Sequence, residues 1–136
     1  MTIGVGLLCN DGIVLASDTE YTTGVLTTLG PKIFKATQRS DVVVIVAGAG
    51  RVPFMKAAVE KIGKKVSQLP ADPSTEDVKD AAEDALLSFY TKHVYPVPED
   101  IRPEFDLILG VWASDGLQLY NTDLTTLIPV WTCPQF

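Results

Sequence analysis

The sequence predicts a layered α+β domain in which strands and helices are segregated along the chain. Apolar segments with Asp-Gly turns occupy the first fifty residues, two amphipathic helical patterns follow between residues 52 and 93, and strands return from residue 105. This order differs from the β-α-β alternation that is typical of parallel sheets. The length of 136 residues suits one domain spanning 1–136, which is large enough for a real core.

The first hairpin is predicted from two apolar segments around a turn. Ile3–Cys9 and Ile13–Ser17 flank Asn10-Asp11-Gly12. Gly4 and Gly6 would weaken an ordinary strand, so they indicate close approach by another backbone or by a substrate.

The next stretch mixes loop and strand signals. Glu20–Pro31 is rich in Thr and Gly and is expected to form a loop or a short irregular strand. A short strand begins at Ile33. The continuous β-branched run Val42–Ala47 predicts a central strand buried on both faces, which ends at Gly48-Ala49-Gly50.

Two helices are predicted in the middle of the chain. Apolar residues recur at helical spacing over 52–68, where Gly63 is a mild blemish. Ser74 and Asp77 form a capping box with Asp in place of the usual Glu, ahead of a second helix that ends near His93. The short linker predicts antiparallel packing of the two helices.

The last third of the chain is again predicted to be β. A proline-rich loop over 95–104 leads to a buried strand at Phe105–Ala113, a turn, and a partner strand at Leu117–Asn121. A final strand is expected within Thr126–Trp131. Trp112 and Trp131 are expected to be core or interface residues.

Composition excludes several function classes. The formal net charge of -6 argues against a nucleic-acid surface. No apolar run approaches the length of a membrane span, and no signal peptide is recognisable, so we expect a cytoplasmic protein without a membrane partner. Cys9 and Cys133 lack metal spacing and are expected to be reduced thiols. No metal site, phosphate loop or cofactor is predicted.

Three residues near the amino terminus suggest a chemistry. Thr2 carries a hydroxyl directly behind Met1, Asp18 follows the second strand, and Lys32 precedes the next one. Removal of Met1 would make Thr2 a nucleophile whose own α-amine is the base. In isolation, Asp18 is better explained as a turn cap and Lys32 as a surface charge. His93, the only histidine, suits a helix end better than a catalytic base.

Four segments in order resemble the β-type, proteasome-like family of N-terminal nucleophile hydrolases. They are Thr2-Ile3-Gly4-Val5-Gly6, the segment from Asp11 to Asp18, Lys32-Ile33-Phe34, and Val46-Ala47-Gly48 before the first helix. Phe105 to Asn121 also looks like that family's strand pair after the second helix.

The resemblance implies a layered αββα sandwich and a role for each site residue. Thr2 would be the nucleophile, Lys32 the buried cation, Asp18 its partner, and the Gly48 N–H an oxyanion donor. The resemblance further implies that the main chain of Thr22 holds an extended peptide substrate. The residues implied to line the pocket for the substrate side chain before the cleaved bond are Tyr21, Val46 and Gly50.

The implied chemistry is reasonable in itself. An α-amine titrates near ~8, and a neighbouring ammonium lowers its pKa, so that it can accept the hydroxyl proton. Gly48 and Gly50 are equally explained as residues that end a strand and let a helix pack closely.

The chain stops soon after its last hairpin, whereas members of that family continue through further helices and strands. We therefore expect a fold that is truncated at its C-terminal part and an uncovered sheet face that favours a homo-oligomer or ring. The alternatives to a peptidase are a non-catalytic proteasome-like structural subunit and a small-amide hydrolase.

Overall fold

The structure, a computed structural model that describes residues 2–23 and 25–130, is a mixed α/β fold with three sheets and two α-helices. The amino-terminal half contributes six strands, which are β1 (Gly4–Leu8), β2 (Ile13–Ser17), β3 (Glu20–Thr23), β4 (Leu26–Leu29), β5 (Ile33–Gln38) and β6 (Val43–Gly50). The helices are α1 (Val52–Ser67) and α2 (Thr75–Phe89). The last strands are β7 (Phe105–Ala113), β8 (Gly116–Asp123) and β9 (Thr126–Pro129).

The sheets are antiparallel throughout. Strands β1 and β2 form one hairpin, β3 and β4 a second, and the remaining strands a five-stranded sheet in the order β5-β6-β7-β8-β9. The segment over 20–31, expected to be a loop or an irregular strand, is therefore the regular β3–β4 hairpin on both sides of residue 24.

The five-stranded sheet separates the helices from the first hairpin. On one face, a Cβ at Gly48 would collide with the Met55 side chain of α1. On the other face, a Cβ at Gly6 of β1 would lie 3.0 Å from the Ile108 side chain of β7. The close approach expected from Gly6 is therefore that of the hairpin to the sheet. Residues 2–23 and 25–130 supply one helical layer, so the second helical layer of an αββα sandwich is not part of what the structure describes.

The helix pair packs antiparallel, as predicted from its linker. Phe54 near the start of α1 lies edge-to-face on Phe89 at the end of α2, with 6.3 Å between the ring centroids. Ser74 and Asp77 form the predicted capping box. Beyond Phe89 the helical path continues as a π-helical turn, Tyr90–Val94, which explains why the sequence pattern extends to His93.

Gly63 is required by the fold, although glycine has a low helix propensity and is unfavourable inside α1. A Cβ at this position would lie 2.2 Å from the Ala36 carbonyl oxygen of β5. The Thr37 hydroxyl donates to the Gly63 carbonyl at 3.0 Å, so β5 and α1 touch through their backbones here. A side chain at residue 63 would push the helix off the sheet edge.

The structure also describes one of the two tryptophans and one of the two cysteines. Trp112 is partly exposed on the sheet face that carries the hairpin, and Cys9 is an exposed free thiol. Trp131 and Cys133 lie outside the described residues.

Across the described part of the chain, neither α-helix combines the length and the apolar character that crossing a bilayer requires. The cytoplasmic location stays a prediction.

Core packing should dominate stability. Leu109 in β7 is 0% exposed, whereas Leu26 in β4 is 69% exposed. We expect Leu109→Ala to lower the free energy of unfolding by about 2–5 kcal/mol through lost burial and a cavity. The matched Leu26→Ala variant should change it by less than about 0.5 kcal/mol. Urea unfolding measures both, and equal effects would contradict the assigned core.

Candidate active site

The first hairpin brings Thr2 and Asp18 to the same place. The register that pairs Gly4 with Ser17 puts the start of β1 beside the end of β2. Two bonds lock that end, because the Asp18 N–H donates to the Ile3 carbonyl at 3.2 Å and the Ile3 N–H donates to Asp18 Oδ1 at 3.0 Å. Residues sixteen positions apart thus become neighbours through an ordinary β-ladder.

The β3–β4 hairpin returns the chain to the same point. Its base is closed by the Gly30 N–H, which donates to the Thr19 carbonyl at 2.8 Å. Lys32 therefore starts the next segment next to Asp18.

Lys32 is the centre of the site. Its side chain is 2% exposed, and Nζ donates to Thr2 Oγ1 and to Asp18 Oδ2, both at 2.9 Å. An ammonium removed from water needs such partners, because an unpaired buried charge is strongly unfavourable. The three residues selected from the sequence are therefore brought together, and their roles stay proposals.

The contacts with Lys32 and Ile3 also lower the pKa of the Asp18 carboxyl. The hydrogen bond from the Lys32 ammonium, followed by that from the Ile3 N–H, holds the pKa of the Asp18 carboxyl below its ordinary value of 3.8. The carboxylate is therefore ionised at neutral pH and can neutralise the ammonium.

Tyr21 contacts the lysine as well. The Lys32 Nζ lies 4.9 Å from the centroid of the Tyr21 ring, a cation–π distance, and the Tyr21 hydroxyl donates to the Pro31 carbonyl. Burial, and then the charge of Asp18, raise the pKa of Tyr21. The sequence suggested Tyr21 as a pocket residue, and its visible contact is with the cation itself.

Gly30 and Pro31 belong to this cluster, although they were not singled out in the sequence. A Cβ at Gly30 would lie 2.6 Å from the Tyr21 ring, so the ring can occupy its position only above a glycine. The Gly-Pro pair directly before Lys32 was a signal for such a special backbone site.

Val46 and Gly48 have contacts that the sequence did not indicate. Val46 is 0% exposed and belongs to the core under the helices, and its expected role in lining a substrate pocket stays a prediction. The Gly48 N–H donates to the Lys32 carbonyl at 3.0 Å, so it is not a free oxyanion donor in this conformation. The β5–β6 ladder simply continues for one more residue pair there.

Thr22 and Gly50 lie at the exposed margins of the region. Thr22 is exposed in β3 opposite Thr27, and no other described strand pairs with the second edge of β3. Gly50 ends β6 with φ of 116°, and a Cβ there would lie 2.4 Å from the Glu104 carbonyl oxygen. Backbone geometry is therefore sufficient to explain a glycine at position 50, and its expected role in the substrate pocket stays a prediction.

Solved structures of Anbu proteins share this fold. The Anbu complex from Pseudomonas aeruginosa, a helical assembly, has a TM-score of 0.75 at 16% identity, covering 96% of this chain and 57% of that one. A Gly-1 mutant of Anbu from Hyphomicrobium sp. strain MC1 has a TM-score of 0.75 at 19% identity, covering 96% and 56%. Anbu (ancestral beta-subunit) from Yersinia bercovieri has a TM-score of 0.75 at 16% identity, with the same coverage as the mutant.

These comparisons correct the family assignment that the motifs suggested. No family model and no curated protein matches the sequence. The assignment to the β-type N-terminal nucleophile hydrolase family is therefore wrong as a statement of membership. Identities of 16–19% relate this chain to Anbu proteins by fold alone, and it spans a little over half of their length.

The ion pair predicts a pH-dependent stability. We expect Asp18→Asn to be less stable than the wild type at neutral pH, because the buried Lys32 ammonium loses its counter-charge. A carboxyl with a lowered folded pKa stabilises above its ordinary value of 3.8 and loses this effect as the pH falls through the folded value. The difference between the two proteins should therefore shrink below that pH.

Denaturant unfolding over a pH series measures this difference. Asp100→Asn, at an exposed position, is the control and should leave stability unchanged. A difference between wild type and Asp18→Asn that stays constant into strong acid would contradict the pairing of Asp18 with Lys32.

Proposed function

We propose that this protein is a threonine-type N-terminal nucleophile amide hydrolase that cleaves peptides, with Thr2 as the nucleophile after removal of Met1. The observation that carries the proposal is the buried Lys32 ammonium, which lies 2.9 Å from both Thr2 Oγ1 and Asp18 Oδ2. A cation held against one hydroxyl is costly to bury and is suited to stabilising an alkoxide as it forms.

The reaction would proceed through an acyl-enzyme. The Thr2 hydroxyl passes its proton to the neighbouring α-amine as Oγ1 attacks the substrate carbonyl carbon. The carbon–nitrogen bond breaks, and the leaving amine takes that proton. Water, deprotonated by the α-amine, then hydrolyses the ester and regenerates the hydroxyl.

Lys32 and Asp18 would make this proton transfer possible. The ammonium lowers the pKa of a nearby α-amine, so that more of the amine is neutral and basic. Asp18 balances the ammonium and fixes its position through the two oxygens that bind Lys32 and the Ile3 N–H.

The oxyanion would be held by a main-chain donor at the end of β6. For Gly48 to take this role, its bond to the Lys32 carbonyl must open when substrate binds. Such a donor is typically worth about 10²–10³ in rate. We further propose that the free edge of β3 at Thr22 pairs with an extended substrate, with Tyr21 and Gly50 at its margins.

We also propose self-association within a proteasome-like assembly. The first hairpin exposes an apolar outer face formed by Ile3, Val5, Leu7 and Val14, which are each 45–57% exposed. In a complete αββα sandwich a second helical layer would cover this face. A face of this kind in contact with water favours association.

A non-catalytic subunit is the second candidate, favoured by one observation. The Gly48 N–H donates to the Lys32 carbonyl and is therefore not free to act as the expected oxyanion donor. In that case the Lys32–Asp18 pair would fasten β1, β2 and β5 together and do no chemistry. Hydrolysis of a small amide would use the same groups as peptide cleavage.

Thr2→Ala should abolish activity without unfolding the protein. Turnover of a fluorogenic peptide should fall at least ~10³-fold, because the nucleophile is lost. Thr2→Ser, which keeps a hydroxyl, should retain measurable activity. Thr27→Ala, at an exposed β4 position, is the matched control. Undiminished turnover by Thr2→Ala would rule out the mechanism.

Processing at the amino terminus separates the two candidates. Intact-mass analysis of the protein from its own cells should show loss of the Met1 mass, because the base is otherwise an amide. Retention of Met1 in all of the protein would exclude the hydrolase and leave the structural role.

A further inference from the structure

The two helices carry opposite charges. Helix α1 has four lysines and one glutamate, a net charge of +3, whereas α2 has five carboxylates and one lysine, a net charge of -4. The chain as a whole has a formal net charge of -6, so α1 is basic in an otherwise acidic protein.

Within the described residues, no ion pair between the two helices neutralises these charges. Among the described residues, α2 pairs its Lys79 with its own Glu76 and Glu83, and no ion pair connects α1 to α2. The lysines of α1 make no ion pair in the described part of the chain. The helix layer therefore presents a basic stripe beside an acidic stripe.

Both stripes lie on the outer side of the layer. Three lysines of α1 (Lys61, Lys64 and Lys65) and one carboxylate, Glu60, line an open groove between the helices, with Ala85 and Ser88 of α2 on the opposite wall. Asp80 and Asp84 are exposed on α2. Leu87, one helical turn beyond Asp84 and two turns beyond Asp80, is 53% exposed and adds an apolar side chain at the end of the acidic stripe.

We propose that a second copy of this chain docks on the helix layer, with α1 of each copy against α2 of the other. The inference deepens the self-association proposed above and does not depend on catalysis. Charge complementarity identifies the occupant, because the surface that fits a basic stripe beside an acidic one is the same surface rotated by 180°.

The symmetry of this contact is simple. A two-fold axis that runs parallel to the helices, midway between the two layers, places α1 over α2 of the partner and α2 over its α1. The helices stay antiparallel across the interface. The contact between a lysine stripe and a carboxylate stripe then occurs twice in the dimer, and each Leu87 faces α1 of the other copy.

Paired charge reversals test the contact. The α1 variant carries Lys61→Glu and Lys64→Glu, and the α2 variant carries Asp80→Lys and Asp84→Lys. Sedimentation equilibrium should show a dimer for the wild type that weakens as salt rises from about 0.05 M to about 0.5 M. Each variant alone should dimerise about 10–100-fold more weakly, because the substituted side chains face like charges at both contacts.

Mixing the two variants provides the decisive readout. The α1 variant then has carboxylates at both stripes and the α2 variant has lysines at both stripes, so the mixture should form a heterodimer of near wild-type affinity. Lys35→Glu and Glu99→Lys make single charge reversals elsewhere, and both should dimerise normally. Circular dichroism verifies that each variant is folded.

Two results would overturn the inference. A wild-type protein that stays monomeric would end both this contact and the proposed self-association. An oligomer that is indifferent to either reversal, or a mixture that fails to associate, would place self-association on another surface. Neither result would affect the peptidase proposal, because Thr2→Ala tests that proposal by itself.

Discussion

The burial of one ammonium group is the constraint on which the candidate site and the strands around it depend. Lys32 is almost completely removed from water, so its side chain needs both a counter-charge and a hydrogen-bond acceptor. Asp18 and Thr2 supply them, and Tyr21 covers the group with its ring. Three chain segments must meet for this, which ties the start of β1 and the end of β2 to the start of β5. The same contacts that stabilise the fold here also place a hydroxyl beside a positive charge.

The layers hold this end in place through close backbone contacts. Gly6 lets the first hairpin settle on the five-stranded sheet, Gly48 makes room for Met55, and Gly63 lets α1 touch β5. Arg39 adds a polar tie, because its guanidinium binds both oxygens of Asp41 and also donates to the Leu69 carbonyl just beyond α1. A site built on strand ends that are fixed in this way is more precisely placed than one carried on a free loop.

Much of this could be read from the sequence, and the failures have physical reasons. The amphipathic helices, the Ser74 cap and the Asp-Gly hairpins have local signals, and Thr2, Asp18 and Lys32 fall at strand ends that those signals define. A continuous β-branched run has no alternation, so it could not reveal that Val46 faces the helices. The Gly48 hydrogen bond depends on ladder register, and the need for Gly63 depends on β5, which is distant in sequence. Family membership depends on more than motif order, and here the fold is similar to that of Anbu proteins while no family model matches.

The central claim is that the ammonium of Lys32 activates the hydroxyl of Thr2, and trapping the acyl-enzyme tests it most directly. Met1-free protein is treated with an activated aryl ester, quenched, and mapped by peptide mass spectrometry. The account predicts a hydroxylamine-sensitive ester on the Thr2 side chain, formed far more slowly in Lys32→Met. An ester on another residue, or one that forms equally fast in Lys32→Met, would contradict it.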